Sequence, residues 1–172
     1  WVDASGKGFA VGAYGRFLAT ADGGSNWAAR ELEAKEEALH LNAVFGLGGE
    51  RFLIAGEAGT LLRSDDGGET WQALKSPYAG SFFDALALPD GSALVFGMRG
   101  HVFRSEDGGD SWAEIDTGVQ SSLFGGRILA DGRLVLVGQS GVVLVSADQG
   151  RSFARFDGPD RHSPAQIGRA HV

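Results

Sequence analysis

The 172-residue chain has no cysteine, one methionine and four prolines. Without thiols it has no disulfide and no thiolate metal site, while compartment stays open, because exported proteins also dispense with cysteine. Positive charge is in deficit as well: 15 Lys and Arg stand against 22 Asp and Glu, a formal net charge of −7. Nucleic-acid-binding proteins usually carry a basic face or stripe, and this balance argues against that partner class. No apolar run reaches the length needed to span a bilayer. The chain starts at Trp1 rather than Met and inside a strand-like pattern. It therefore reads as a piece of a longer protein, and the lack of a signal peptide carries no information.

What the chain has in quantity is glycine, 28 residues, in a composition that is 43% hydrophobic. Many short strands joined by tight turns consume glycine at this rate. The glycines are not scattered. One octad occurs four times: Thr20-Ala21-Asp22-Gly23-Gly24-Ser25-Asn26-Trp27, Ser64-Asp65-Asp66-Gly67-Gly68-Glu69-Thr70-Trp71, Ser105-Glu106-Asp107-Gly108-Gly109-Asp110-Ser111-Trp112 and Ser146-Ala147-Asp148-Gln149-Gly150-Arg151-Ser152-Phe153. The pattern is hydroxyl, any, Asp, any, Gly, any, polar, aromatic. A short carboxylate that accepts backbone N–H bonds, followed two residues on by a glycine free to take positive φ, makes a tight turn between antiparallel strands.

The aromatic positions are spaced by 44, 41 and 41 residues. A period near forty with about four strands per unit is the mark of propeller blades. A second turn precedes each octad, at Gly12-Ala13-Tyr14-Gly15, Gly56-Glu57-Ala58-Gly59, Gly97-Met98-Arg99-Gly100 and Gly138-Gln139-Ser140-Gly141. Between turns lie apolar runs such as Arg51-Phe52-Leu53-Ile54-Ala55 and Leu134-Val135-Leu136-Val137, the continuous pattern of strands buried on both faces. Pro89-Asp90-Gly91 and Ala130-Asp131-Gly132 supply hairpin signals between two such runs. The expectation is an all-β propeller piece of about four antiparallel four-stranded blades, at roughly 1–33, 40–76, 81–117 and 121–157. Three blades are complete, the first lacks most of its innermost strand, and together they form an open arc of a larger ring. The polar stretch from Arg30 to Leu39 reads as a solvated loop. Residues 158–172 read as a disordered tail, and Gln166 to Val172 resembles translated sequencing-library adapter, so His171 is not counted as a ligand.

The four octads match the Asp-box, or bacterial neuraminidase repeat. Together with Leu39-His40-Leu41-Asn42-Ala43-Val44 and Ile54-Ala55-Gly56-Glu57-Ala58-Gly59-Thr60-Leu61-Leu62-Arg63-Ser64, they resemble the photosystem II stability/assembly factor family of bacterial and plastid propellers. The resemblance runs from Trp1 to about Phe156 and departs from the box pattern at Asn26, Gln149 and Phe153. It implies a seven-bladed, non-enzymatic scaffold without cofactors. It further implies a place in the periplasm or thylakoid lumen, where the scaffold binds a protein partner, a subunit of a membrane complex under assembly.

The chemistry-bearing residues divide into two sets. Asp22, Gly24, Trp27, Asp66, Gly68, Trp71, Asp107, Gly109, Trp112, Asp148, Gly150 and Phe153 read as structural, the carboxylates closing turns rather than ligating calcium, since no run has a further carboxylate at the closing position of such a loop. The aromatics read as packing between sheets, with indole N–H groups on backbone acceptors. Glu37 and His40 are a weak metal pair, and Asp84 reads as polar lining of the central channel. Meander topology puts the boxes on one face and the second set on the other: Tyr14, Arg16, Glu57, Arg99 and His101, beside the loops around Glu36, His40, Tyr78 and Gln120. The arginines and His101 are donors for a carboxylate-bearing or peptide ligand. The competing readings are a fragment of a sialidase-like hydrolase and a carbohydrate- or receptor-type binding propeller. A sialidase needs an arginine triad and a Tyr–Glu pair, and only Tyr14 and Tyr78 exist, neither beside an obvious Glu.

Overall fold

A computed structural model describes residues 1–33 and 39–156; Lys35, Glu36, Glu37 and the tail from 157 onward lie outside the described residues. In each Asp box the side chains close the turn locally. The Ser64 hydroxyl accepts the Gly68 N–H at 2.7 Å and donates to Asp66 Oδ1 at 2.8 Å, and Asp66 accepts the Thr70 N–H at 2.9 Å and the Thr70 hydroxyl at 2.5 Å. Ser105, Asp107 and Ser111 repeat this, as do Ser146, Asp148 and Ser152. In the first box the Asn26 amide takes the hydroxyl's place, donating to Asp22 Oδ2 at 2.7 Å. Gly68 is required twice over: its φ is +85°, and a Cβ there would lie 2.2 Å from the Phe9 ring.

Strands between the turns pair as antiparallel meanders. The first sheet holds β1 (Gly8–Val11), β2 (Phe17–Thr20) and β3 (Ala28–Ala29), with Val2 bridging to Gly8 as the remnant of an inner strand. The second holds β4 (Leu41–Gly48), β5 (Arg51–Gly56), β6 (Leu61–Ser64) and β7 (Gln72–Ala73). The third holds β8 (Phe82–Ala87), β9 (Ala93–Gly97), β10 (Val102–Ser105) and β11 (Ala113–Ile115), and the fourth β12 (Leu123–Ile128), β13 (Leu134–Gly138), β14 (Val143–Ser146) and β15 (Ala154–Arg155).

Alternating side chains of each blade build the cores between blades. Phe52, Ile54 and Leu62 pack toward blade one with Phe9 and Phe17, whereas Leu53, Ala55 and Leu61 pack toward blade three with Phe82, Val95 and Phe103. Leu94, Phe96, Leu134, Leu136 and Leu144 fill the space between blades three and four. The box aromatics wedge into these seams, Trp71 edge-on to Phe17 at 5.5 Å, with its Nε1 donating to Gly68 O at 3.2 Å. Trp27 makes the same bond to Gly24 O but stays 39% exposed, with no preceding sheet against it in the described residues. At the other end Val135 pairs with Val145 and Val137 with Val143, all on the face of blade four turned away from blade three.

Candidate functional site

The two ends of the blades differ in kind. On one end the boxes meet the turns between first and second strands, with Gly67 N–H on Glu50 O at 2.7 Å and Gly23 N–H on Gly6 O at 2.9 Å. Here arginines tie blade to blade. Arg63 donates to Gly108 O and to Asp110 of the next blade, at 3.2 and 2.6 Å. In the same position of the next repeat, Arg104 donates to Gln149 O at 3.0 Å, to Asp90 Oδ2 at 2.6 Å and to Glu106. Arg30 reaches Glu69 at 3.0 Å, and Arg51, Arg133 and Arg151 are likewise paired with carboxylates. The box carboxylates are spent on their own turns. The Asn26 amide holds the pKa of Asp22 down to about 2, the Ser111 hydroxyl does the same for Asp107, the Ser152 hydroxyl for Asp148, and the Thr70 hydroxyl pulls Asp66 lower still. No group of three metal-ligating side chains occurs among the described residues.

On the other end, four single turns of 3-10 helix, Ala13–Gly15, Glu57–Gly59, Met98–Gly100 and Gln139–Gly141, fold over the segments that lead into the inner strands. Backbone bonds fix them there: Glu57 N–H to His40 O at 2.8 Å, Met98 N–H to Ser81 O at 3.0 Å, Gln139 N–H to Ser122 O at 2.8 Å. The central residue of each, Tyr14, Ala58, Arg99 or Ser140, has φ between +51° and +60°. That left-handed backbone costs a non-glycine roughly 1 kcal/mol.

Tyr14 is 78% exposed and meets the His40 ring edge-on at 5.0 Å. Glu57 is turned inward to the same segment, its Oε2 accepting the His40 N–H at 3.1 Å. Its carboxylate thus holds its own chain. Arg16 and Arg99 are exposed and have no carboxylate partner among the described residues. Arg99 and His101 line one cleft of about 770 Å³ with Glu114, Asp116, Thr117 and Gln120. His101 sits between partners, Nδ1 at 2.5 Å from Glu114 Oε1 and its ring 4.3 Å from that of Tyr78. The structure therefore gathers Arg99 with His101, and separately Tyr14 with His40 and Glu57. Asp84, half-buried on the inner strand β8, reaches across to the inner strand β12. A bulge between Phe82 and Asp84 turns its carboxylate to the next blade, where it accepts the Gly126 N–H at 3.1 Å as well as its neighbour Ala85's at 2.8 Å, and burial raises its pKa.

The profile of the family described as "Photosynthesis system II assembly factor YCF48" matches residues 2–123. The chain belongs to the YCF48 family. The curated "Photosystem II assembly lipoprotein Ycf48" of Synechococcus sp. (strain CC9902) is 36% identical over 67 residues, which are 39% of this chain and 20% of that protein. The solved structure of YCF48 bound to D1 peptide superposes with a TM-score of 0.72 at 25% identity, over 87% of this chain and 50% of that one. The chain thus spans about half the length of the YCF48 structure it matches. An ancestral GH74 enzyme superposes with a TM-score of 0.75 at 16% identity over 92% of this chain and 24% of its own, a likeness of fold alone.

Several working residues of this YCF48-family chain escaped the sequence reading. The box hydroxyl accepts a buried N–H besides donating, which the octad pattern alone does not show. Arg63 and Arg104 recur just before their boxes, Arg63-Ser64 and Arg104-Ser105, and that in-phase repetition was the available signal. The left-handed Tyr14, Ala58, Arg99 and Ser140 carried no such signal, since glycine is the residue that usually announces positive φ.

Proposed function

We propose that the face bearing Tyr14, Arg16, Arg99 and His101 docks a protein segment during assembly of a photosystem II-type membrane complex, outside the cytoplasm and without catalysis. The observation that carries this is Arg99. Its guanidinium projects from a left-handed turn at the rim of a polar cleft and is in no ion pair among the described residues. Unpaired arginine beside backbone and histidine donors recognises carboxylate-bearing peptide, because the planar fork binds both oxygens at once. Membership of an assembly-factor family and the D1 peptide in the YCF48 structure support a protein ligand. The name lipoprotein, borne by the Synechococcus relative, supports the location. The valine face of blade four is the surface that further blades of the same protein would cover.

The test is capture of photosystem II reaction-centre subunits from solubilised membranes by the tagged full-length protein, quantified against the Tyr14→Ala/Arg99→Ala double variant. Loss of about tenfold in capture is expected for removing a charge-assisted contact. Undiminished capture by the folded double variant removes this face from the function, and turnover of a fluorogenic sialoside overturns the non-catalytic reading.

A further inference from the structure

Three cross-strand rows hold the same place in successive blades, each on the face turned to the following blade: Phe9–Ala19–Ala28, Leu53–Arg63–Gln72 and Leu94–Arg104–Ala113. In the second and third rows the middle residue is the arginine that ties the seam, and a carboxylate two residues on is clamped between it and a second cation. Asp65 meets Arg63 Nε at 3.0 Å and Arg51 Nε at 2.7 Å, while Glu106 meets Arg104 and, at 3.1 Å, Arg151. The first row has Ala19 in the arginine position and Ala21 in the carboxylate position. The seam between blades one and two therefore lacks both side chains.

In their place is a groove of about 600 Å³ lined by Lys7, Phe9, Ala19, Ala28, Arg30 and Glu69. The corresponding groove between blades three and four, lined by Arg104, Glu106, Ala113 and Arg151, is about 390 Å³. Blade three has a sheet packed against each of its faces and still carries that groove, so the feature belongs to the seam between two blades and not to an uncovered end. The charges around the larger groove leave one group over. Glu69 is paired with Arg30 at 3.0 Å, and Asp22 is held by Thr20 and Asn26 of its own box. Lys7 is in no ion pair among the described residues, and its Nζ lies over the Phe9 ring, 5.9 Å from the centroid. It stands where Arg51 stands in the next blade, one residue before the strand partner of the box hydroxyl, without the carboxylate that Arg51 finds in Asp65.

We propose that this groove binds a small carboxylic acid with a flexible hydrocarbon chain, which supplies what the next two seams carry in their own side chains. The carboxylate takes the place of Asp65 or Glu106 and pairs with Lys7. The chain lies against Phe9, Ala19 and Ala28, where an arginine stands beside Leu53 or Leu94 in the later seams. The volume is that of an ordinary small-molecule site. The groove is at the Asp-box end and is independent of the docking face.

The experiment is isothermal titration of the full-length protein with octanoate, with octanamide, which keeps the chain without the charge, and with acetate, which keeps the charge without the chain. Octanoate is expected to bind about tenfold more tightly than octanamide, the effect of one charge-assisted contact. It is expected to bind roughly a hundredfold more tightly than acetate, from a chain that an open groove covers in part. Lys7→Gln abolishes the difference between octanoate and octanamide and leaves octanamide binding unchanged. The Ala19→Arg/Ala21→Asp double variant writes the next blade's side chains into the seam and is expected to lose octanoate binding without a fall in melting temperature. Failure of octanoate to bind, equal binding of octanoate and octanamide, or undiminished octanoate binding by the folded double variant each overturns the site. Should the double variant not fold, Lys7→Gln decides alone, and a preference for octanoate that survives it overturns the site.

Discussion

The two ends of the blades carry the same residue type in opposite states. On the Asp-box end, Arg104 is 5% exposed and reaches two carboxylates and a carbonyl of the next blade; on the other end Arg99 is exposed and unpaired. The difference follows from what each turn offers. A box leaves backbone carbonyls such as Gly108 O and Gln149 O facing the adjacent blade, and the hairpin turns place Asp90 and Glu106 beside them, so an arginine just before the box finds a complete set of acceptors. The 3-10 turns spend their backbone groups on the strand-entry segments, and the side chains at their centres, Tyr14 and Arg99, project largely into solvent. One end ties its arginines to the neighbouring blade, and the other leaves Arg99 outside any ion pair among the described residues.

Replacing the two arginines is the sharpest way to break this comparison. Arg104→Ala takes the guanidinium from Asp90 Oδ2 and Gln149 O, Asp90 keeping its Ser92 donors, and is expected to cost about 2–3 kcal/mol in urea unfolding, the range for hydrogen bonds to a charged group. Arg99→Ala is expected to stay within about 0.5 kcal/mol of the parent, as exposed positions do. Equal losses at the two positions would mean that the faces do not differ in this way. Next in size is the box hydroxyl. Ser105→Ala strands the buried Gly109 N–H that now bonds to Ser105 Oγ at 2.8 Å, an expected loss of about 1–2 kcal/mol. Ser140→Ala, a hydroxyl on the opposite end, is expected to have no measurable effect on the same curve.

How much of this was readable in advance follows the same division. The box end was legible because its chemistry is local: Ser64, Asp66, Gly68 and Trp71 satisfy one another within eight residues, so a linear pattern contains the whole device. Blade order and the two-sided burial of Phe52 to Ala55 were legible through period and hydrophobicity. The opposite end was not, because its properties are relations between distant segments. Nothing local to Arg99 shows that Ser122 Oγ lies on its N–H, and nothing local to Asp84 shows that a bulge turns it to Gly126. Nor does anything local to Glu57 show that its Oε2 accepts the His40 N–H, seventeen residues away in the chain.

Acid should separate the faces without any mutation. The pKa values of Asp22, Asp107 and Asp148 are held near 2 by their turn donors, below the ordinary 3.8. A depressed carboxylate stabilises the fold fully above its unfolded pKa and loses that contribution as pH falls through the folded value. Melting temperature is therefore expected to hold above about pH 4 and to decline between pH 4 and pH 2. Asp107→Asn should flatten part of that decline, and a variant as steep as the parent would assign the acid sensitivity elsewhere.

The smallest effect isolates side chain from backbone on the free end. Arg99 and Ser140 occupy the same left-handed position of successive turns, with φ of +57° and +60°. Glycine relieves the steric cost of that conformation but adds freedom to the unfolded chain, so Arg99→Gly and Ser140→Gly are each expected to gain about 0.5 kcal/mol. If the strained turn serves only the backbone, the two variants behave alike in every assay. If it serves to aim a cation at a ligand, Arg99→Gly alone loses reaction-centre capture while becoming slightly more stable, and Ser140→Gly keeps it. A gain in stability coupled to a loss of binding is what a residue retained for recognition predicts, and a matched loss of capture at Ser140 would contradict it.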